Sequence, residues 1–265
     1  MTKLVQTRRS FLTTLVSGAS MLALTACGGG GNASGGSSAA AAGDGTDAKS
    51  DGVMTYAEYV AAEVDAPVML ECFVQAKQSW WEDKASIYAA DADGAYFIYN
   101  AACDQATYDK LVEGAKISVK GYKAEWSGEV EVAEGAELAL MDGSYIAEPV
   151  DVTDKLGTEG LIDFQNQKVA FTGLTIAASK DADGKEAPFI YNYDGSGAPG
   201  DDLYFNVSDG KATYAFTVES YLTGEDTDVY KLVSNDLKVG DTVDLEGFLY
   251  WYEGPNPHIT SVTVK

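Results

Sequence analysis

One block of eighteen residues occurs twice in this chain, at 111–128 and again at 237–254, with a constant offset of 126 and no gap. Both copies keep a leucine, two internal glycines, alternating apolar residues, an aromatic residue and a final glycine. The matching pairs are Leu111/Leu237, Gly114/Gly240, Ile117/Val243, Val119/Leu245, Gly121/Gly247, Trp126/Tyr252 and Gly128/Gly254. An internal repeat of this kind indicates two copies of one small domain, which we place at 53–148 and 149–265.

The elements around the block follow the same order in both copies. In the first we expect a capped helix over 54–63, with Thr55 and Glu58 as a capping box, before the β-prone runs begin. In the first copy we predict strands at 68–75, 85–90 and 95–100, a short helix at 105–111, a strand in the repeated block and a last strand at 129–132. In the second copy we predict strands at 168–177, 203–207 and 213–218, a short helix at 227–233, a strand in the repeated block and a last strand at 259–264. The second copy also contains an insertion at 180–200.

This order predicts a mainly β protein with two tandem OB-fold-like five-stranded Greek-key barrels, each with a short helix before the fourth strand. The block resembles the Leu-x-x-Gly-x-x-Ile/Val-x-Val/Leu-x-Gly signature of the OB-fold-like domains of bacterial surface lipoproteins. Gly114 is expected to form the turn that enters the fourth strand, and Gly121 to mark a bulge or bend within it. A fold of this kind hosts many functions, so it does not by itself identify one.

The first 26 residues have a basic start, an apolar run and small residues before Cys27, which is typical of an export signal. Leu24-Thr25-Ala26-Cys27 resembles the lipobox of bacterial lipoproteins, in which the cysteine is diacylglycerylated and becomes the mature N-terminus. The alternative is an ordinary signal peptide with an incidental cysteine. Thr7-Arg8-Arg9-Ser10-Phe11-Leu12 looks like a twin-arginine signal, although the two arginines also fit the basic region of a general secretory signal.

Residues 27–52 follow as glycine, serine and alanine with scattered charge, a composition that predicts a flexible tether. Together the two segments predict a protein held to the outer face of the cell membrane by a lipid anchor.

Charge restricts the partners that the sequence favours. The chain has 41 acidic and 18 basic residues, and three of the basic residues lie in the first 26, so the remainder carries 15 − 41 = −26. Affinity for nucleic acid normally rests on cationic contacts with phosphates. We therefore expect nucleic acid to be disfavoured, and a surface protein or a glycan to be a better partner.

Few residues suit catalysis or metal binding. His258 is the only histidine, which excludes a site built from several histidines. Cys72 and Cys103 are a candidate disulfide in an exported domain, with two buried thiols as the alternative. The Asp-Ala-Asp-Gly sequences at 91–94 and 181–184 do not complete a calcium-loop pattern. We therefore expect no cofactor and no metal, and weak calcium binding in the insertion is the one alternative left open.

Aromatic residues in the loops are the candidate ligand-binding groups. In OB folds the loop between the first two strands and the loop between the last two frame the ligand face. The aromatic residues predicted there are Trp80, Trp81, Trp126, Tyr191, Tyr193, Trp251 and Tyr252. Exposed rings stack on sugars, bases or partner side chains, and the alternative is that these rings pack at barrel ends or between the copies.

These observations rank the functions. A non-enzymatic, lipid-anchored surface module that binds a protein or a glycan comes first. An enzyme or enzyme subunit that uses carboxylates on a polysaccharide is the alternative, although no spacing of carboxylates indicates an acid and a base. Single-stranded nucleic acid binding comes last.

Overall fold

The computed structural model describes residues 49–181 and 183–265. The first barrel is made of a leading helix, six strands and a second helix. In chain order they are α1 (Tyr56–Ala61), β1 (Pro67–Lys77), β2 (Lys84–Ala90), β3 (Ala95–Ala102), α2 (Gln105–Tyr108), β4 (Ala115–Trp126), β5 (Glu129–Val132) and β6 (Glu137–Ser144). The sheet order β1-β2-β3-β5-β4 closes because β4 also pairs with β1. The predicted capping box at Thr55 and Glu58 is present.

The fifth strand of this barrel is longer than predicted and is divided in two. Strands β5 and β6 both run antiparallel to β4, and residues 133–136 separate them. The break lies opposite Gly121, where an added Cβ would be 2.9 Å from Val132 Cγ1 and 3.0 Å from Ala136 Cβ. Gly121 therefore allows the close approach of the fifth strand. The pairing is irregular at this position, because Lys120 pairs with Glu137 whereas Lys123 pairs with Val132, so the partner strand has two extra residues opposite Gly121.

The second barrel repeats the arrangement with extra short strands. Its elements are β7 (Val150–Asp151), 3-10 turns at Thr153–Lys155 and Glu159–Phe164, β8 (Lys168–Ala177), β9 (Ser179–Lys180), β10 (Glu186–Ala187), β11 (Ile190–Tyr191), β12 (Leu203–Ser208), β13 (Thr213–Val218), α3 (Asp228–Lys231) with a following π-helical turn Leu232–Asp236, β14 (Thr242–Phe248) and β15 (His258–Val264). Strands β8, β12, β13, β15 and β14 close the barrel, since β14 pairs back with β8. Two closed five-stranded barrels in tandem confirm the predicted fold class.

The repeated glycines have two separate roles. Gly114 and Gly240 have φ values of +84° and +94°, so they form the left-handed turns that enter β4 and β14. At Gly247 the register between β14 and β15 shifts, and an added Cβ would be 2.1 Å from the His258 carbonyl oxygen. The predicted bulge is therefore present in the second copy.

Each barrel has its own apolar core. Cys72 and Cys103 both belong to the first barrel and are free thiols, so the predicted disulfide between them is not formed. Cys72 lies on β1 within the core, whereas the Cys103 thiol lies 3.6 Å from the Asp104 carbonyl oxygen. Burial raises the pKa of both thiols, which keeps them protonated and unreactive.

The predictions for the N-terminal segment lie outside the described residues. These are the signal peptide at 1–26, the lipidated Cys27 and most of the tether at 27–52, and they stay predictions. Where the structure does describe the chain, no helix is both long enough and apolar enough to cross a membrane.

Candidate functional site: the outer faces of the two barrels

The outer face of β2 and β3 in the first barrel is covered by the second barrel. Tyr88 and Phe97 are cross-strand partners that alternate with core residues, so they point away from the barrel interior. Both are nevertheless buried, because they pack against Phe248 and Tyr250 of the second barrel. The Tyr88 and Phe248 rings are stacked with centroids 4.4 Å apart, and Phe97 meets Tyr250 edge to face at 5.4 Å. We call these four residues the seam cluster.

His258 lies in the same region and completes the contact. Its Nδ1 is 3.0 Å from the Tyr88 hydroxyl, and its ring stacks on Tyr250 at 4.6 Å. Burial lowers the pKa of His258 to about 3, so the imidazole is neutral at ordinary pH. The structure therefore places His258 between the two barrels.

Both ligand-framing loops of the first barrel also hold the second barrel. In the loop at 78–83, the Ser79 amide donates to the Tyr221 carbonyl oxygen at 2.7 Å. In the loop between β4 and β5, Ser127 accepts a hydrogen bond from the Glu253 amide at 2.7 Å. Further bonds across the seam join Gln78 to Glu219, Gln165 to Gly128, Asn166 to Val130 and Trp251 to Glu129. The OB ligand face of the first barrel is therefore occupied by the protein itself.

Four of the seven predicted aromatic residues take part in packing. The Trp80 indole donates to the Cys103 carbonyl oxygen at 2.8 Å and is partly buried. Trp251 packs so closely on Gly128 that an added Cβ there would lie 2.7 Å from its ring. Tyr191 packs on the second core and meets Phe189 edge to face. Trp126 is partly buried at the end of β4. These four residues therefore pack within the protein, which is the alternative to ligand binding that the sequence left open.

The remaining three predicted residues are exposed. Trp81, Tyr193 and Tyr252 have exposed fractions of 62%, 73% and 50%. Tyr193 follows β11 in the insertion and Tyr252 lies in the loop at 249–257, so these two frame the second barrel. Trp81 lies in the loop of the first barrel at the seam.

The corresponding outer face of the second barrel is partly exposed, since Tyr204 and Asn206 are half-buried while Thr217 is buried. Tyr204 begins the outward row of β12 and pairs across the strands with Thr217 of β13. Burial is the main cause that raises the pKa of Tyr204 to about 12, and the nearby Asp202 and Glu219 carboxylates are the next largest causes. The Tyr193 and Tyr252 hydroxyls contribute to the same shift. The three tyrosines are thus neighbours, and we call Tyr193, Tyr204 and Tyr252 the tyrosine face.

Two carboxylates adjoin this face, one partly exposed and one buried. Asp202 accepts hydrogen bonds from the Ser220 amide and hydroxyl at 2.8 and 2.7 Å. Glu219 is 7% exposed, and its Oε2 accepts the Gln78 amide at 3.2 Å. Burial first, and then Asp202, raises the pKa of Glu219 to about 8, so this carboxyl is largely protonated at neutral pH. Its burial at the seam keeps it away from any substrate on the open face.

The two Asp-Ala-Asp-Gly sequences are turns. Asp91 Oδ1 accepts the amides of Asp93 and Gly94, and its Oδ2 accepts the Tyr96 hydroxyl at 2.6 Å. Asp181 Oδ1 likewise accepts two amides of its own loop. In the described ranges no three His, Cys, Asp or Glu side chains are grouped to hold a metal ion.

Sequence reasoning did not select Tyr204, Thr217 or Glu219. The alternation of β12 could have identified Tyr204, because Leu203, Phe205 and Val207 are the apolar partners that point inward. Glu219 had no sequence signal, since its environment combines Asp202 of its own barrel with Gln78 of the other.

Comparisons with known proteins give structural matches alone. No family model matches the sequence, and no curated protein matches it. The tetrameric p202 HIN2 structure is 12% identical, covers 77% of this chain and 96% of its own, and has a TM-score of 0.32. A murine DNA-binding protein bound with double-stranded DNA is 12% identical over 74% and 94%, with a TM-score of 0.35. A replication protein A heterotrimer bound to single-stranded DNA is 11% identical over 77% and 49%, with a TM-score of 0.33.

These matches contradict our ranking of partners. We expected a surface protein or a glycan to be favoured and nucleic acid to be disfavoured. Two of the three matched structures are complexes with double- or single-stranded DNA, and none of the three is described as a surface lipoprotein or a glycan-binding module. The ranking used the net charge of the whole chain, which does not describe the local chemistry of one barrel face.

Proposed function

We propose that this protein binds single-stranded nucleic acid through its bases, on the tyrosine face of the second barrel. The observation that carries the proposal is the outer face of β12 and β13, where the exposed Tyr193 and Tyr252 lie near the half-buried Tyr204. In OB folds this face and these loops bind oligonucleotides or oligosaccharides. Aromatic side chains on such a face stack on successive bases with little sequence preference.

Only one of the two barrels is expected to bind. The first barrel has the same ligand face, but the seam cluster and the loop contacts cover it. To expose that face, the stacked Tyr88 and Phe248 rings would have to separate, and the hydrogen bond from Ser79 to Tyr221 would have to break. We therefore expect one binding site per chain.

Bases rather than phosphates should provide the affinity. Neither β12, β13 nor the loop at 249–257 contains a lysine or an arginine, and Asp202 adjoins the tyrosines. Phosphates are therefore repelled, whereas stacking on an aromatic ring contributes about 1–3 kcal/mol per base. Salt screens the repulsion, since the Debye length falls from about 30 Å at 0.01 M to 3 Å at 1 M. Binding should consequently strengthen with added salt, the opposite of a phosphate-binding protein.

The proposal is tested by titrating the purified protein with short single-stranded DNA at low and high salt. A Tyr193→Ala, Tyr252→Ala double variant removes two exposed rings, and Tyr122→Ala on β4 is the matched control because Tyr122 is 60% exposed on the other barrel. We expect the double variant to lose binding and the control to keep it. Affinity that falls steeply with salt, or survives the double variant, would overturn the proposal.

A second candidate is a planar organic cation, favoured by Asp202 beside the tyrosine face and by the acidic charge of the chain. Cations over aromatic rings gain about 0.5–2 kcal/mol. Here affinity should fall with salt, because attraction between opposite charges is screened. Titration with a planar cationic dye and with its neutral analogue separates the candidates, since equal affinity for both dyes would exclude the cation.

A further inference from the structure

Two exposed aromatic residues lie on segments that contact each other at the seam, one from each barrel. Trp81 lies in the first-barrel loop at 78–83 and is 62% exposed, and Tyr221 follows β13 and is 55% exposed. The backbone contact between their segments is direct, because the amide and hydroxyl of Ser79 both donate to the Tyr221 carbonyl oxygen, at 2.7 and 2.9 Å. A single exposed ring needs no explanation, but two exposed rings on contacting segments of different domains form a candidate binding surface.

The Trp81 loop is held by its own hydrogen bonds. Trp81 and Lys84 exchange both backbone hydrogen bonds, at 3.2 and 3.0 Å. The intervening Glu82 and Asp83 have positive φ values of 47° and 58°, and the Asp83 carbonyl oxygen accepts the Cys103 amide at 2.8 Å. The Trp81 ring is therefore presented on a fixed backbone, which reduces the entropy lost when a ligand stacks on it.

This pair continues the tyrosine face. Tyr204 is opposite Thr217, and Tyr221 is four residues further along the chain, at most about 14 Å of backbone away. Glu219 lies between them and is near enough to Tyr204 to raise its pKa. Gln78, three residues before Trp81, bonds to that same Glu219. The segments that carry Tyr204, Tyr221 and Trp81 are therefore linked through the contacts of Glu219 with Gln78 and of Ser79 with Tyr221.

We propose that Trp81 and Tyr221 extend the binding site across the seam, so that a longer single strand contacts both barrels. This inference rests on the proposed function, because it assigns further stacking positions to the same ligand. The second barrel would hold the first bases, and the first barrel would contribute through one loop although its own ligand face is covered. The rigid seam sets the spacing between the two parts.

The length of the oligonucleotide separates this inference from the proposed function. A dinucleotide fits within the tyrosine face, whereas a strand of about ten nucleotides also reaches the seam. For Trp81→Ala and Tyr221→Ala we expect unchanged affinity for the dinucleotide and a loss of about 5- to 150-fold for the longer strand, as one lost stacking contact implies. Tyr122→Ala serves again as the exposed control on the first barrel.

The possible outcomes distinguish failure of the extension across the seam from failure of the proposed function. If the longer strand binds normally to Trp81→Ala and Tyr221→Ala but not to the Tyr193→Ala, Tyr252→Ala variant, the extension is wrong and the proposed function stands. Equal losses for both lengths would also refute the extension, because the effect would then be indirect. If neither length binds the unaltered protein, the proposed function fails and the extension fails with it.

Discussion

The Tyr88 hydroxyl and the His258 Nδ1 lie 3.0 Å apart and join the two barrels through a buried hydrogen bond. Tyr88 belongs to the second strand of the first barrel and His258 to the last strand of the second. The bond lies beside the stacked Tyr88 and Phe248 rings, so polar and apolar contacts coincide at the seam. The two copies of the repeat consequently behave as parts of one compact unit.

Removing the Phe248 ring should destabilise both barrels. Phe248 is buried in the seam cluster, and truncation of a buried Phe to Ala costs about 3–5 kcal/mol. We expect Phe248→Ala to lower the free energy of unfolding in guanidinium by that amount, and to increase cleavage by protease at loop 249–257. A change below about 1 kcal/mol would mean that the seam does not contribute to folding.

Stability should have a plateau on the acid side of neutrality. Burial raises the pKa of Glu219 from 4.5 to about 8, so its contribution is complete below pH 4.5 and is lost as the pH rises through 8. Burial lowers the pKa of His258 from 6.5 to about 3, so its contribution is complete above pH 6.5 and is lost as the pH falls toward 3. Each is worth up to about 5 kcal/mol.

Between pH 4.5 and 6.5 the stability lost as Glu219 approaches ionisation is offset by the stability gained as His258 becomes neutral. The free energy of unfolding should therefore be greatest and nearly constant in this range. Denaturation curves across pH 3–9 measure it. Glu219→Gln keeps the shape of the side chain and should remove the decline between neutral pH and pH 8. A decline that persists in this variant would assign it to a group other than Glu219.

Gly247 of the repeated block should respond to substitution very differently from Gly135, a turn glycine with open space around it. A Cβ at Gly247 would lie 2.1 Å from the His258 carbonyl oxygen, so we expect Gly247→Ala to cost about 3 kcal/mol by displacing β15. Gly135 has a φ of +85° but no atom within 4 Å of an added Cβ, so Gly135→Ala should cost about 1 kcal/mol from backbone strain alone. Thermal unfolding of the two variants compares them, and equal losses would contradict the clash.

Both first-barrel thiols should resist modification in the folded protein. Cys72 and Cys103 are buried, and burial raises both pKa values. We expect mass spectrometry after alkylation without reductant to show these two cysteines unmodified in the native protein and both modified after unfolding. A mass two hydrogens lower in the unfolded, unreduced sample would instead establish a disulfide.

Lipid anchoring at Cys27 remains a prediction from the lipobox. Cys27→Ser removes the thiol that would be acylated, and the protein should then move from the membrane fraction to the soluble fraction. Arg8→Lys, Arg9→Lys keeps the positive charge and tests the twin-arginine prediction separately. Unchanged fractionation of Cys27→Ser would exclude the anchor.

The two barrels could be predicted from the sequence because their determinants are local. The repeat at 111–128 and 237–254 shows the duplication, alternation defines the strands, and Thr55, Asp104 and Thr227 accept the amide hydrogen bonds that cap the helices. Such signals depend on neighbours within a few residues along the chain. The irregular pairing at Gly121 could be expected from the sequence, but the close approach there could not, because the atoms involved belong to Val132 and Ala136.

The location of the site was decided by tertiary structure. Trp251 and Tyr252 are adjacent in sequence, yet one packs on Gly128 of the first barrel and the other remains exposed on the second. Alternation along a strand distinguishes the inside of a barrel from its outside, but it does not say which outer face another domain will cover. That choice depends on contacts such as Tyr88 with Phe248, which are 160 residues apart and become neighbours only when the two barrels pack together.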